Sequence, residues 1–138
     1  MTELYWHQHA AWPLLATLQL LPLVGAAALW RLGERPAALV VAHAVSIAEL
    51  GVALLLYRGL DVANPGFQFV ERLPLVGSLN YHAGADGVTV LFVLLTALIV
   101  ALLPFYARVR QLAEPSRLLG VILAVEAMMM SMLVSLDL

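Results

Sequence analysis

Lysine and cysteine are both absent from this 138-residue chain. Without cysteine there can be no disulfide, no thiol nucleophile and no thiolate-bound zinc or iron–sulfur cluster, and the redox compartment is left open. All seven basic residues are arginine, and the formal net charge is −2, so no basic surface for nucleic acid exists. Charge of either sign is scarce. Only 12% of residues are Asp, Glu, Lys or Arg, against 63% hydrophobic, whereas soluble domains carry about 25% charged and about 45–50% apolar residues. Such a composition predicts a membrane protein.

A bilayer core about 30 Å thick is crossed by about 20 apolar residues in a helix. Four windows satisfy this, at residues 10–30, 37–57, 88–107 and 118–138. Lipid offers a bare backbone N–H or C=O no partner, so each window is predicted helical, giving an all-α membrane fold in one domain over 1–138. Pro36 suits a helix start. Pro22 and Pro104 fall inside or near the ends of spans, where they are expected to kink the helix. Trp12, Trp30, Tyr57, Phe105 and Tyr106, with Tyr5 and Trp6, sit at span ends as interfacial aromatics do.

Arginine placement predicts orientation. Arg31 and Arg35 lie between the first and second spans, and Arg108, Arg110 and Arg117 between the third and fourth; Arg58 and Arg72 lie on the opposite side. The positive-inside bias puts the two arginine loops in the cytoplasm and both termini outside, across a bacterial inner membrane. The start "MTELYWHQHAAWP" has no basic run, so the first span is expected to be retained rather than cleaved as a signal peptide. The long outer connection contains "FQFV" and "LNYHAG", compatible with a short β-hairpin on the membrane surface or with an irregular interfacial loop. Pro74 excludes its middle from any central strand.

Ionisable residues at membrane depth carry the functional question. Glu49 lies near the middle of the second span and Glu126 near the middle of the fourth. A charge at the bilayer centre costs about 2.5–3.5 kcal/mol, so such acids usually face an interior partner or a water path. Asp137 follows Glu126 by eleven residues, about three helical turns, which in a continuous helix puts both acids on nearly one face. That arrangement suits a proton relay; the bland alternative is an acid that only packs, with Asp137 solvated. His43, six residues before Glu49, does not share its face. Asp86 is expected to cap the third helix, and His82 to belong to the turn before it. His7 and His9 could bind a metal but are expected to be a solvated or interfacial pair. The methionines from Met128 to Met132 are expected to be adaptable packing. No nucleophile–base pair, phosphate loop or metal-ligand set is evident, so neither a catalytic site nor a cofactor is expected.

The string "YHAGADGVTVLFVLLTALI" (Tyr81–Ile99) resembles a segment of the antiporter-like membrane subunits of respiratory complex I, most closely the M-type, or chain 4, subunit. "FQFVERLPLVGSLN" resembles their outer hairpin, "LLATLQLLPLVGAAAL" their first helix, and "LAVEAMMMSMLVSLDL" their fourth, with Glu126 at the position of an acid. The resemblance implies a membrane subunit of a proton-translocating complex, with other membrane subunits and lipids as partners. Those subunits continue into a fifth helix with a glutamate and into lysine-bearing broken helices, which have no counterpart here. The resemblance therefore implies an amino-terminal piece, from a split gene or a retained remnant. The alternative is a structural accessory subunit of another energy-converting complex, photosynthetic for example, that moves no protons.

Overall fold

The computed structural model describes residues 12–74 and 80–136. Four helices, α1 (Leu14–Leu32), α2 (Pro36–Gly59), α3 (Gly87–Val109) and α4 (Pro115–Val134), carry a two-stranded antiparallel sheet at one end, in the chain order α1-α2-β1-β2-α3-α4, with β1 at Gln68–Pro74 and β2 at Asn80–Ala85. All four helices are long and apolar enough to cross a bilayer. The protein is an integral membrane protein with a small hairpin between its second and third spans.

The helices form a closed ring in which each packs on its sequence neighbours and α1 also packs broadly on α4. Of the two diagonals, α2–α4 is the closer. Lipid-facing surfaces are apolar too, so association relies on close fit more than on hydrophobicity. Gly25 provides one such fit. A Cβ there would lie 2.7 Å from Val45 Cγ1 on α2 and 3.1 Å from Leu123 Cδ1 on α4.

Two apolar clusters fill the ring. One, beside the hairpin, contains Leu15, Leu18, Ala53, Leu56, Val90 and Met130. The other, beside the short loops, contains Ala26, Leu29, Ala42, Val100, Leu119 and Leu123. Between them, at mid-height, α2 and α4 place buried Ser46, Glu49 and Glu126.

The helix bounds refine the expectation from the apolar windows. The α1 helix starts four residues later than its window, after Pro13. The α4 helix starts at Pro115, which suits a first helical position, and ends at Val134 rather than at residue 138. After it the chain turns extended: Ser135 bridges to Ala83, and the Leu136 N–H donates to the His82 carbonyl at 3.1 Å. The free edge of β2 is thereby covered. Pro74 sits at the end of β1, where a missing N–H is tolerated. Pro22 and Pro104 lie inside α1 and α3.

Replacing Gly25 with valine should overpack the α1–α2–α4 contact and destabilise the bundle by about 1–3 kcal/mol. Thermal unfolding in detergent measures this; an unchanged midpoint would show that the helices can separate there without cost.

Candidate functional site: a buried carboxyl pair beneath a hairpin that caps the bundle

The hairpin is built around a bulge. Gln68 pairs with Ala85 and Glu71 with Ala83, so Phe69 and Val70 together face Gly84. Phe69 takes a positive φ of 56°, rare for a bulky residue. Strand residues normally alternate between faces, and the bulge breaks that alternation. As a result Gln68, Phe69, Val70 and Glu71 are all buried. Gln68 ties down the loop behind it, accepting from the Asp61 N–H at 2.8 Å and donating to the carbonyls of Asp61 (2.8 Å) and Asn64 (3.1 Å).

Glu71 points at the start of α1. Its two oxygens accept the N–H groups of Leu15 at 2.8 Å and Ala16 at 2.9 Å. Pro13 holds the N-cap position and has no side-chain acceptor, so a carboxylate from the hairpin does the work of a local cap. Burial pushes the Glu71 carboxyl above its ordinary range, and the two N–H bonds draw it partway back. Its neighbour Tyr81 is pushed up to about 12, first by burial and then by the Glu71 charge, against a lowering bond from Gln19. Gln19 Nε2 donates to the Tyr81 hydroxyl at 2.6 Å, and Ser131 Oγ donates to Gln19 Oε1 at 3.3 Å, joining β2, α1 and α4.

At the opposite end Glu34 does the same for α4. Its oxygens accept the N–H groups of Ser116 and Arg117, each at 3.1 Å, while the Ser116 hydroxyl donates to the Leu29 carbonyl at 3.1 Å. The α3 helix is capped locally. Asp86 Oδ1 accepts the Thr89 N–H at 2.7 Å, and that bond holds its carboxyl below the usual range. His82 lies within β2, across from Arg72, whose Nε donates to His82 Nε2 at 3.1 Å. Neither Glu71 nor Glu34 stood out in the sequence. The available signal was an apolar helix start with no Ser, Thr, Asp or Asn before it.

The acids at membrane depth meet. Glu49 lies about 20 Å from the start of α2 and Glu126 about 17 Å from the start of α4, at 1.5 Å per residue. The two helices run in the same direction, so the side chains reach one level and face each other within hydrogen-bonding range. Each residue is at most 2% exposed. Among the described residues no N–H or O–H donates to any of the four carboxyl oxygens. Two ionised carboxylates are acceptors only, so the pair gains its missing hydrogen bond when one proton lies between them. His43 is elsewhere: Nδ1 lies 2.7 Å from the Leu39 carbonyl, and the ring meets Phe105 edge-on at 4.6 Å. Asp137 lies outside the described residues, and because α4 ends at Val134 its helical spacing from Glu126 no longer implies a shared face.

These features define a polytopic membrane protein with a buried carboxyl pair at mid-depth, closed on one side by a capping hairpin. By sequence the chain belongs to the family of NADH-quinone oxidoreductase subunit M and chain 4. It is 37% identical to NADH-quinone oxidoreductase subunit M of Rhodobacter capsulatus and 29% identical to F(420)H(2) dehydrogenase subunit M of Methanosarcina mazei, each match covering 91% of the chain. It is 39% identical over 69% of its length to NAD(P)H-quinone oxidoreductase chain 4 2 of Thermosynechococcus vestitus. The chain spans 25% and 26% of the length of the first two relatives, about a quarter of each. No family model matches it.

Glu71→Ala should leave two helix-start N–H groups bare and cost about 1–3 kcal/mol. Hydrogen exchange should speed up at Leu15 and Ala16 while the α3 amides stay protected; equal protection in both variants would refute the capping role. The Asp86 cap has a depressed folded-state value, so its stabilisation is complete above the unfolded value of 3.8 and disappears as pH falls through the lower folded one. Acidification should therefore free the Thr89 amide to exchange in the wild type, and Asp86→Asn should remove that pH dependence.

Proposed function

We propose that the chain is the amino-terminal four-helix unit of an M-type, antiporter-like subunit, working inside a multi-subunit proton-translocating quinone oxidoreductase. In this reading Glu49 and Glu126 hold and release a proton at mid-membrane. The observation that carries it is the pair itself: two buried carboxyls with no donor and no counter-charge among the described residues. A structural core gains nothing from two facing acids without partners, whereas a site that must load and unload a proton needs that arrangement. The matches to subunit M and chain 4 along nearly the whole chain support the setting.

The remaining assignments follow the same reading. The short arginine loops face the cytoplasm of a bacterial inner membrane, and the hairpin and both termini face outward. Asp137 is a further candidate for the same proton path. The other membrane subunits of the complex and lipid cover the outward apolar faces of the helices.

The test is made on the native assembly, extracted with its partners and placed in liposomes. Glu126→Gln and Glu49→Gln should each slow proton translocation by on the order of tenfold or more while the complex stays assembled. In Glu49→Gln the amide donates to Glu126 in place of the shared proton, so the stability read from the melting midpoint should change by no more than about 1 kcal/mol. If translocation per quinone reduced is unchanged in both variants, the acids only pack and the chain is a structural accessory.

A further inference from the structure

Charge is distributed unevenly at the arginine end of the bundle. On the α1–α4 side, Glu34 is bound to the start of α4 and Glu114 pairs with Arg117 at 2.8 Å. On the α2–α3 side, Arg35 precedes α2, Arg108 lies in the last turn of α3, and Arg110 follows it. None of these three pairs with a carboxylate among the described residues. Both acids at this end serve the α1–α4 face, where Arg31 in the last turn of α1 also pairs with no carboxylate among the described residues, and the three arginines clustered on the neighbouring ends of α2 and α3 have no acid beside them there.

Beneath Arg108 lies a cleft of about 460 Å³ lined by Pro36, Leu39, Val40, His43 and Arg108. Its mouth is set by the first residue of α2 and the last turn of α3, the level at which a span leaves the hydrocarbon. Its floor descends two turns along α2, through Leu39 and Val40 to His43 and the Phe105 ring packed against it. Val40 is 69% exposed and faces outward. A cation at the rim above an apolar trough that runs down the membrane-facing side matches one kind of molecule, with a phosphate at one end and a chain at the other. A soluble anion would satisfy Arg108 and leave the trough unused. A neutral acyl chain would fill the trough and leave three arginines unpaired.

We propose that the α2–α3 cleft is a binding site for an anionic glycerophospholipid. The phosphodiester is held by Arg108, with Arg35 and Arg110 contributing to the local field, and one acyl chain lies along Leu39, Val40 and His43. An arginine near a bilayer surface attracts an anionic headgroup by about 1 kcal/mol, and a guanidinium can bond two phosphate oxygens at once. The site is independent of the carboxyl pair, which lies inside the ring on the α2–α4 diagonal.

The experiment is native mass spectrometry of the full chain purified in mild detergent and titrated with dioleoylphosphatidylglycerol, with dioleoylphosphatidylcholine, or with inorganic phosphate. The parent should retain phosphatidylglycerol about fivefold more tightly than phosphatidylcholine. Arg108→Gln should remove most of that preference, and Val40→Trp, which fills the trough from an exposed position, should weaken both lipids. Arg117→Gln on the other face should change neither. Undiminished phosphatidylglycerol retention in folded Arg108→Gln, or an equal loss in Arg117→Gln, would overturn the assignment. Competition by millimolar inorganic phosphate would overturn it as well, showing a free-anion site. If Arg108→Gln fails to fold, Val40→Trp decides alone: unchanged lipid retention there refutes the site.

Discussion

A helix start in an apolar setting must find acceptors for its first N–H groups, and the architecture of this protein depends on how α1 and α4 meet that need. Neither has a side chain at its own N-cap that accepts a bond. Both use a glutamate from a distant connection: Glu71 from the hairpin at one end and Glu34 from the α1–α2 loop at the other. Each bond pair fixes more than a helix end. Glu71 reaches α1 only because the bulge at Phe69 turns it inward, and the bulge is tolerated opposite Gly84, where a Cβ would lie 2.7 Å from Leu136 Cδ1. The short segment after α4 is thus packed against the same element that completes α1.

With both ends held in this way, the middle of the bundle can carry what would otherwise be destabilising. The two apolar clusters flank the Glu49–Glu126 level. Two acids facing each other there would repel if both were ionised, and the broad α1–α4 and α2–α3 contacts resist any splaying of the helices. The pair is thus held inside a frame that does not depend on it. The polar link Tyr81–Gln19–Ser131 stitches hairpin to helices on the α1–α4 side, away from the α2–α4 diagonal where the acids meet.

What could be read from sequence divides along the range of the interaction. The spans were legible because twenty apolar residues in a row have few other outcomes, and their errors were confined to ends, as at α4, where strand pairing with β2 replaces the last helical turn. Asp86 was legible as a cap because its donor lies three residues away. Glu71 was not, because its donors lie fifty-five and fifty-six residues back. The bulge was hidden by chemistry: a left-handed residue usually announces itself as Gly or Asn, and here it is phenylalanine. Glu49 and Glu126 could each be singled out as acids at depth. Their meeting depends on the rotation of α2 against α4, which neither helix encodes by itself.

The capping geometry also bears on biosynthesis. The chain is made from its amino terminus, and the acceptor that α1 uses in the finished protein is synthesised more than fifty residues after the amides it serves. The start of α1 is therefore completed only once α2 and β1 have been made. Until the second span has inserted and the hairpin has folded back, the start of α1 must keep its contact with water or with the insertion machinery. The second helix, which begins with Pro36 and so has one fewer amide to satisfy, carries no such delay. The hairpin thus sets the order of assembly: it ties the depth at which α1 comes to rest to the arrival of the second span.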